Sequence, residues 1–240
     1  LPVAERITMA NFLIIAASSG IGQAVVRQLK SEGHTVFKTA RDNSKITPDA
    51  YLDATDFDAV EEVFKKAGDL NGVVNCSGSL LLKPSHLTTK EQYNSVVESS
   101  LTTSFATVRA AGKYMTHGGS VVLISSAAAR EGFANHEAIA SAKAGIIGLT
   151  LSAAATYASA NLRFNAVAPG LVQTSLTIEL TNNETSKKIS ESMHALGRLG
   201  TPDDVARAIF FFLNPENSWI TGQVLGVDGG LSSVRPKVRF

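Results

Sequence analysis

Near its start the chain reads Asn11-Phe-Leu-Ile-Ile-Ala-Ala-Ser-Ser-Gly20-Ile-Gly22-Gln23, a short apolar run that passes through small residues into a helical pattern. Phe12 to Ile15 read as a buried strand, and the segment from Gln23 to Lys30 places its apolar residues on one helical face. Backbone N–H groups at a helix N-terminus attract phosphate when no side chain blocks its approach. The pattern predicts a cradle for the pyrophosphate of a dinucleotide, with an ordinary tight strand-to-helix turn as the alternative.

Length and composition favour one globular domain, predicted over residues 9–240. The chain has 240 residues, 44% hydrophobic and 18% charged, with a net charge of +1. No Lys/Arg cluster or long apolar run points to nucleic acid or a membrane as a partner. The single Cys76 forms no internal disulfide, which suits the cytoplasm, and no metal site is predicted. Residues 1–8 precede Met9 and are interpreted as a cloning remnant or an alternative start.

Apolar runs alternate with longer amphipathic segments along the rest of the chain. They lie at 35–37, 72–74, 120–124, 163–168 and 223–227. Short apolar strands joined by helices predict an α/β fold, a single doubly wound parallel sheet with helices on both faces, which binds its ligand at the carboxyl ends of the strands. The polar stretch from Gln173 to Leu196 is interpreted either as a lid or as a solvated pair of helices.

Five motifs in order make the chain resemble the short-chain dehydrogenase/reductase family. The family's Thr-Gly-x-x-x-Gly-x-Gly turn corresponds to Ile15 to Gly22, with Ala16 in place of the first glycine. Its Asn-Asn-Ala-Gly motif corresponds to 75–78 and its Pro-Gly-x-x-x-Thr motif to 169–174. The segments 196–206 and 220–230 resemble the family's C-terminal helix entry and final strand. Family members are usually dimers or tetramers, so the resemblance implies a homodimer or homotetramer assembled through its long helices.

The resemblance also implies which residues bind a nicotinamide dinucleotide. Asn75, Ser77 and Gly78 are expected on the adenosine side of the cleft, the loop 169–174 at the nicotinamide carboxamide, and Asp53 at the adenine amino group. The implied set comprises Ala16, Ser18, Ser19, Gly20, Ile21, Gly22, Arg41, Asp53, Asn75, Ser77, Gly78, Lys143, Pro169, Gly170, Val172 and Thr174.

The residues after the second predicted strand favour NADP(H) over NAD(H). An acidic residue there binds the ribose 2′-hydroxyl and repels a 2′-phosphate. In this chain the acidic position holds Ala40, and Arg41 follows it. A guanidinium suits a phosphate in charge and geometry. There are two other interpretations of Arg41. In one, the carboxylate of Asp42 offsets its charge; in the other, Arg41 is a solvated surface residue.

The chain departs from the family at two of its four catalytic positions. Lys143 is present, but Ile139 stands four residues earlier, where the family has its tyrosine. Ser126, thirteen residues before that position, is retained, and Ser100 replaces the family's asparagine. The tyrosine donates a proton to the developing alkoxide, and a positioned general acid contributes about 10²- to 10⁴-fold in rate. Ile139 therefore predicts weak activity by the usual route.

Two functional hypotheses follow from this departure. The first is an NADP(H)-dependent oxidoreductase acting on an unidentified carbonyl or alcohol substrate, with proton transfer through water, Ser126, Lys143 or His136. His136 qualifies because it shares a face with Ile139 and Lys143 if the helix extends that far. The second is a protein that binds the cofactor without catalysis, as a sensor or a partner subunit.

Overall fold

The computed structural model describes residues 9–236 and places seven parallel strands in one sheet, in the order β3-β2-β1-β4-β5-β6-β7. Residues 1–8, interpreted above as a cloning remnant or an alternative start, lie outside the described residues. The strands are β1 (Asn11–Ile15), β2 (Thr35–Ala40), β3 (Ala50–Tyr51), β4 (Gly72–Asn75), β5 (Gly119–Ile124), β6 (Leu162–Pro169) and β7 (Val224–Val227). The helices are α1 (Gly20–Ser31), α2 (Phe57–Ala67), α3 (Lys90–Val97), α4 (Thr103–Tyr114), α5 (Glu137–Tyr157), α6 (Ile178–Thr181), α7 (Glu184–Met193) and α8 (Pro202–Leu213).

The two faces of the sheet bury separate hydrophobic clusters, because strands covered on both sides carry apolar residues at successive positions. Leu13 and Ile15 of β1 point to the cluster that includes residues of α2, α4 and α5. Phe12 and Ile14 point to the cluster that includes residues of α1 and α8. The predicted doubly wound sheet with helices on both faces is confirmed.

The strand order reverses between β1 and β4, and the two segments predicted to bind a dinucleotide follow these strands. From β1 the chain moves outward through β2 to β3, then returns to β4 on the opposite side of β1. The loops after these two strands diverge, and the crevice between them receives ligands in open α/β sheets. The glycine turn after β1 and the 75–78 motif after β4 therefore face each other across this crevice.

The structure adds one strand that the sequence did not predict and distinguishes between the two interpretations of the polar segment 173–196. The two-residue strand β3 was missed, because Ala50 and Tyr51 form no apolar run and are recognised only by their pairing with Thr39 and Ala40. Between Gln173 and Leu196 the chain forms α6 and α7, neither of which has a buried residue. The secondary structure thus matches the solvated helix pair.

Helix α5 is long and apolar enough to cross a membrane by length and composition alone. It packs against β6, and its residues Ile146, Ala153 and Ala154 belong to the buried core beside the sheet. Burial inside this domain accounts for part of its apolar composition, since 44% of the apolar stretch is buried. The same helix carries Ile139 and Lys143, so the sheet fixes the position of both.

Candidate cofactor and active site

The turn after β1 is closely packed around its glycines. Ser19 caps α1 by accepting a 3.0 Å hydrogen bond from the amide of Gly22. A Cβ atom at Gly20 would lie 2.9 Å from Cγ2 of Thr174, and one at Gly22 would lie 2.7 Å from the carbonyl oxygen of Ala16. Gly20 and Ile21 open α1, where backbone amides have no acceptor within the helix. These amides are suited to bind a pyrophosphate.

Ala16 adopts the left-handed conformation, with φ of 56°. An alanine replaces glycine without backbone strain only where φ is negative, and here φ is positive. The turn needs this conformation because the amide of Ser19 donates back to the carbonyl of Ala16 at 3.0 Å. The position thus carries backbone strain that a glycine would avoid.

Arg41 lies exposed at the end of β2 on the expected adenosine side of the crevice. Its positive charge lowers the pKa of Asp53, whose main stabilisation comes from hydrogen bonds donated by the backbone and side chain of Thr55. Asp42 instead accepts hydrogen bonds from the amide and hydroxyl of Ser44. Arg41 forms no ion pair within residues 9–236. Hydrogen bonds from Ser44, and to a smaller extent the positive charge of Arg41, lower the pKa of Asp42. The interpretation in which Asp42 offsets Arg41 therefore stays a prediction.

The motif after β4 holds its own loop together. Asn75 is buried, its amide donates to Thr107 at 2.9 Å, and its side-chain oxygen accepts from the amide of Ser77 at 2.8 Å. Its side chain thus positions Ser77 and Gly78, and the contact of Asn75 with adenosine that the resemblance implies stays a prediction. Gly78 is exposed, and a Cβ atom there would lie 3.2 Å from Nζ of Lys143.

Lys143 is 6% exposed and anchored at the carboxyl end of β5. Its Nζ atom donates a 2.8 Å hydrogen bond to the carbonyl of Ile124, and its own carbonyl accepts from the hydroxyl of Ser125 at 2.9 Å. Burial lowers the pKa of Lys143 to about 8. Desolvation also raises the pKa of the neighbouring, half-buried thiol of Cys76 to about 12.

Ser126 and Ile139 complete what remains of the family's catalytic set. The Ser126 oxygen accepts from the amide of Ala128 at 3.1 Å, so its hydroxyl proton stays available to a substrate oxygen. Ile139 is 4% exposed and packs in an apolar cluster with residues that include Leu81 and Val96. It belongs to an apolar wall and has no group that transfers a proton.

Ser100 lies inside a π-helical turn, Glu98–Thr102, between α3 and α4. Such single π turns are frequent at functional sites. The side chain of Ser100 is completely buried, and its hydroxyl has no hydrogen-bond partner within the described part of the chain. A Cβ atom at Gly78 would lie 3.9 Å from this oxygen, so Ser100 borders the same space as Lys143.

The condition under which His136 shares a face of α5 with Lys143, that the helix extends to it, is not met. The helix begins one residue later, at Glu137, and His136 is its N-terminal flanking residue. The Nδ1 atom of His136 lies 2.8 Å from the carbonyl of Ala134, and its ring packs on Phe133. These contacts give His136 a local role in the loop before α5.

The loop after β6 is held between the glycine turn and β7. Thr174 touches the space above Gly20, Val172 is buried, and Gly170 donates to the carbonyl of Val227 at 3.2 Å. Sequence reasoning missed His194, which is buried and accepts a 3.2 Å hydrogen bond from the amide of Leu171. No periodicity marks a buried histidine that follows a polar helix.

Lys45 was also missed. It lies in the loop between β2 and β3, and its Nζ atom donates to Oγ of Ser175 at 3.0 Å. This contact joins the loop after Arg41 to the segment that leads into α6. The contact spans 130 residues of sequence, so no local pattern announces it.

The sequence profile described as enoyl-(acyl carrier protein) reductase matches residues 15–232. The chain belongs to the short-chain dehydrogenase/reductase family. A 3-oxoacyl-(acyl-carrier-protein) reductase of Thermotoga maritima is 34% identical over 244 residues, covering 91% of this chain and 96% of that protein. Carbonyl reductase family member 4 of Danio rerio is 34% identical over 239 residues, with 91% and 96% covered.

Solved structures of the same family superpose over nearly the whole chain. A short-chain dehydrogenase/reductase of Mycobacterium ulcerans has a TM-score of 0.88 at 27% identity, covering 94% of this chain and 90% of that one. ElxO, solved with NADP bound, has a TM-score of 0.86 at 32% identity, covering 95% and 100%. The family's nicotinamide dinucleotide suits this chain, because glycines and free helix amides leave the cradle open to a phosphate.

Proposed function

We propose that this chain is an NADP(H)-dependent oxidoreductase that interconverts a carbonyl and an alcohol slowly. Membership of an oxidoreductase family and the complete cofactor cleft support the reaction class. The bound dinucleotide supplies or accepts the hydride. The protein contributes Ser126 as a hydrogen-bond donor to the substrate oxygen and the buried Lys143 as the ammonium at the back of the cleft.

The unpaired guanidinium of Arg41 carries the proposal that the cofactor is NADP(H). It follows β2 on the adenosine side, and the nearby carboxylate of Asp42 is engaged by Ser44. Lys45 adds a second positive charge in the same loop. A 2′-phosphate is a doubly charged oxyanion that favours such a pair of cations.

The test compares the binding of NADPH and NADH by nucleotide fluorescence. The unmodified protein should bind NADPH at least about tenfold more tightly, because a charged hydrogen bond to phosphate is worth about 1.5–3 kcal/mol. Arg41→Ala should reduce this ratio towards one, whereas Arg27→Ala, on the outer face of α1, should leave it unchanged. Equal affinities for the two nucleotides in the unmodified protein would contradict the proposal.

The names of the relatives suggest which carbonyl compounds to test as substrates. Several of them are named as reductases of 3-oxoacyl groups on acyl carrier protein, and one as a carbonyl reductase. A panel of 3-oxoacyl thioesters and simple ketones, monitored through NADPH absorbance, therefore gives the first assay for turnover. We also propose a homo-oligomer and a cytoplasmic location.

A second candidate function is cofactor binding without catalysis, as a sensor or a partner subunit. Ile139 favours it, because the buried apolar side chain removes the family's proton donor while the nucleotide cleft stays intact. Tight NADPH binding without turnover of any panel member selects this candidate over the reductase.

A further inference from the structure

The loss of the tyrosine leaves few groups in the cleft that can move a proton. Ile139 has none, and His136 is held by the Ala134 carbonyl and Phe133. Cys76 keeps its proton because burial raises the pKa of its thiol to about 12. A serine hydroxyl alone is a poor acid near neutral pH. Both ring nitrogens of His194 have partners, the amide of Leu171 and the carbonyl of Ser190. Lys143 is the remaining candidate among the described residues of the cleft.

The position of Lys143 suits this role. Residues 139 and 143 lie one turn apart on α5, so they share a face of that helix. The ammonium uses one N–H to bind the Ile124 carbonyl, which leaves two others for partners outside the protein. The absence of a side chain at Gly78 keeps the approach to Nζ open, because a Cβ atom there would stand 3.2 Å away.

The orphaned hydroxyl of Ser100 marks a place for a proton-carrying partner. A buried hydroxyl is normally satisfied by the protein, by water or by a ligand, and that of Ser100 finds no partner among the described residues. Since Gly78 faces both Ser100 and Lys143, a water in this space would contact both polar groups. Such a water would connect the ammonium to bulk solvent.

We propose that Lys143, which the family uses beside a tyrosine, is itself the proton donor of this chain during carbonyl reduction. The inference rests on the proposed oxidoreductase function. The carbonyl carbon receives a hydride, which NADPH supplies when bound, and the carbonyl oxygen receives a proton from Nζ directly or through one water. The C=O π bond breaks, and one C–H and one O–H bond form. The substrate gains two electrons, NADPH becomes NADP⁺, and the neutral amine regains a proton from solvent.

The electrostatics of the site agree with this assignment. Burial lowers the pKa of Lys143 from 10.5 to about 8, which brings the ammonium closer to the strength an acid needs near neutral pH. The Cys76 thiol on the β4 loop is the titratable group that faces Lys143 within the described structure, and it stays neutral there. Carbonyl reduction needs the ammonium and should decline as the pH rises through about 8. Alcohol oxidation needs the amine and should increase over the same interval.

The test measures kcat against pH in both directions at saturating NADPH or NADP⁺, for the unmodified protein, Lys143→Met and Lys143→Arg. Lys143→Met should lose about 10²-fold or more in kcat, the contribution of a positioned general acid. Lys143→Arg should not restore it, because arginine keeps the charge without releasing a proton. Lys83→Met serves as the matched control. Lys83 binds Gln92 outside the cofactor cleft, so Lys83→Met should keep the kcat and the pH dependence of both carbonyl reduction and alcohol oxidation.

A second readout follows the ammonium itself without turnover. In protein labelled with ¹³C at lysine Cε, the resonance missing from Lys143→Met belongs to Lys143 and should titrate near pH 8. Titration near the ordinary lysine value, or equal turnover by Lys143→Met and the unmodified protein, would overturn the donor role and leave the reductase proposal standing. NADPH binding without any turnover would overturn both.

Discussion

At the scale of single residues, Ala16 shows how one methyl group acts through the backbone. The turn requires a positive φ, which an alanine adopts at a cost of about 1–2 kcal/mol. Glycine avoids this cost but loses about 0.4–1 kcal/mol through its freer unfolded chain. Ala16→Gly should therefore stabilise the protein by up to about 1.6 kcal/mol in urea denaturation, the largest difference between those two effects.

The same substitution bears on the cofactor cradle. Removing the methyl group leaves the backbone path of the turn unchanged, so NADPH affinity should stay the same or increase. Ala24→Gly, in the interior of α1, is the control and should destabilise the protein by about 0.5–1 kcal/mol. A loss of stability in Ala16→Gly would show that the left-handed conformation at Ala16 carries no strain.

At the scale of elements, α5 determines whether the usual chemistry can be restored. Ile139→Tyr places a phenol one helical turn before Lys143, where it lines the same cleft as Ser126. It should raise carbonyl reductase activity by about 10²-fold or more, because the added general acid is the missing component. The increase is measured as kcat with the panel member that turns over fastest.

The packing of α3 against α5 sets the cost of that change. Ile139 is enclosed with Val96 and Ala142, so a larger ring should destabilise the protein by about 1–3 kcal/mol. Ser100→Asn should raise kcat more in the Ile139→Tyr variant than in the unmodified protein, because the asparagine organises water near Lys143 in the family. If the folded double variant binds NADPH and reduces no panel member, other parts of the cleft are altered as well.

The elements differ in how well the sequence predicts them. Strands buried on both faces are predicted because each is a continuous apolar run, and the turn after β1 because small residues stand at fixed spacing. The residue at which α5 begins is not predicted, since the hydrogen bond between His136 and Ala134 leaves no periodic pattern in the sequence. Contacts such as Lys45 with Ser175 and His194 with Leu171 depend on the folded chain bringing distant segments together. The same limit applies to the φ of Ala16, which is set by the turn around it.

At the scale of the whole molecule, exposed large apolar side chains occur at the β7 edge of the sheet and on the long helices, as well as on the segment 176–196. Strand β7 is an edge strand, and Leu225 on it is exposed together with Phe211 of α8 and the nearby Trp219, which is 99% exposed. Phe105 of α4 and Leu151 of α5 are also exposed. Apolar patches and unpaired strand edges of this kind are normally covered by another chain. A second copy of this chain is the occupant we propose.

We therefore expect sedimentation velocity to show a homodimer or homotetramer. Trp219 is the single tryptophan of the chain, so a shift of its fluorescence to shorter wavelength on concentration reports burial of the β7 edge. Trp219→Glu should weaken that contact, while Phe105→Glu should weaken contact through the long helices. Tyr51→Glu, at the opposite edge of the sheet on β3, is the matched control because it adds the same charge to an exposed aromatic residue. A chain that sediments as a monomer at high concentration would contradict assembly, and a dimer unaffected by Trp219→Glu but dissociated by Phe105→Glu would assign it to the helices alone.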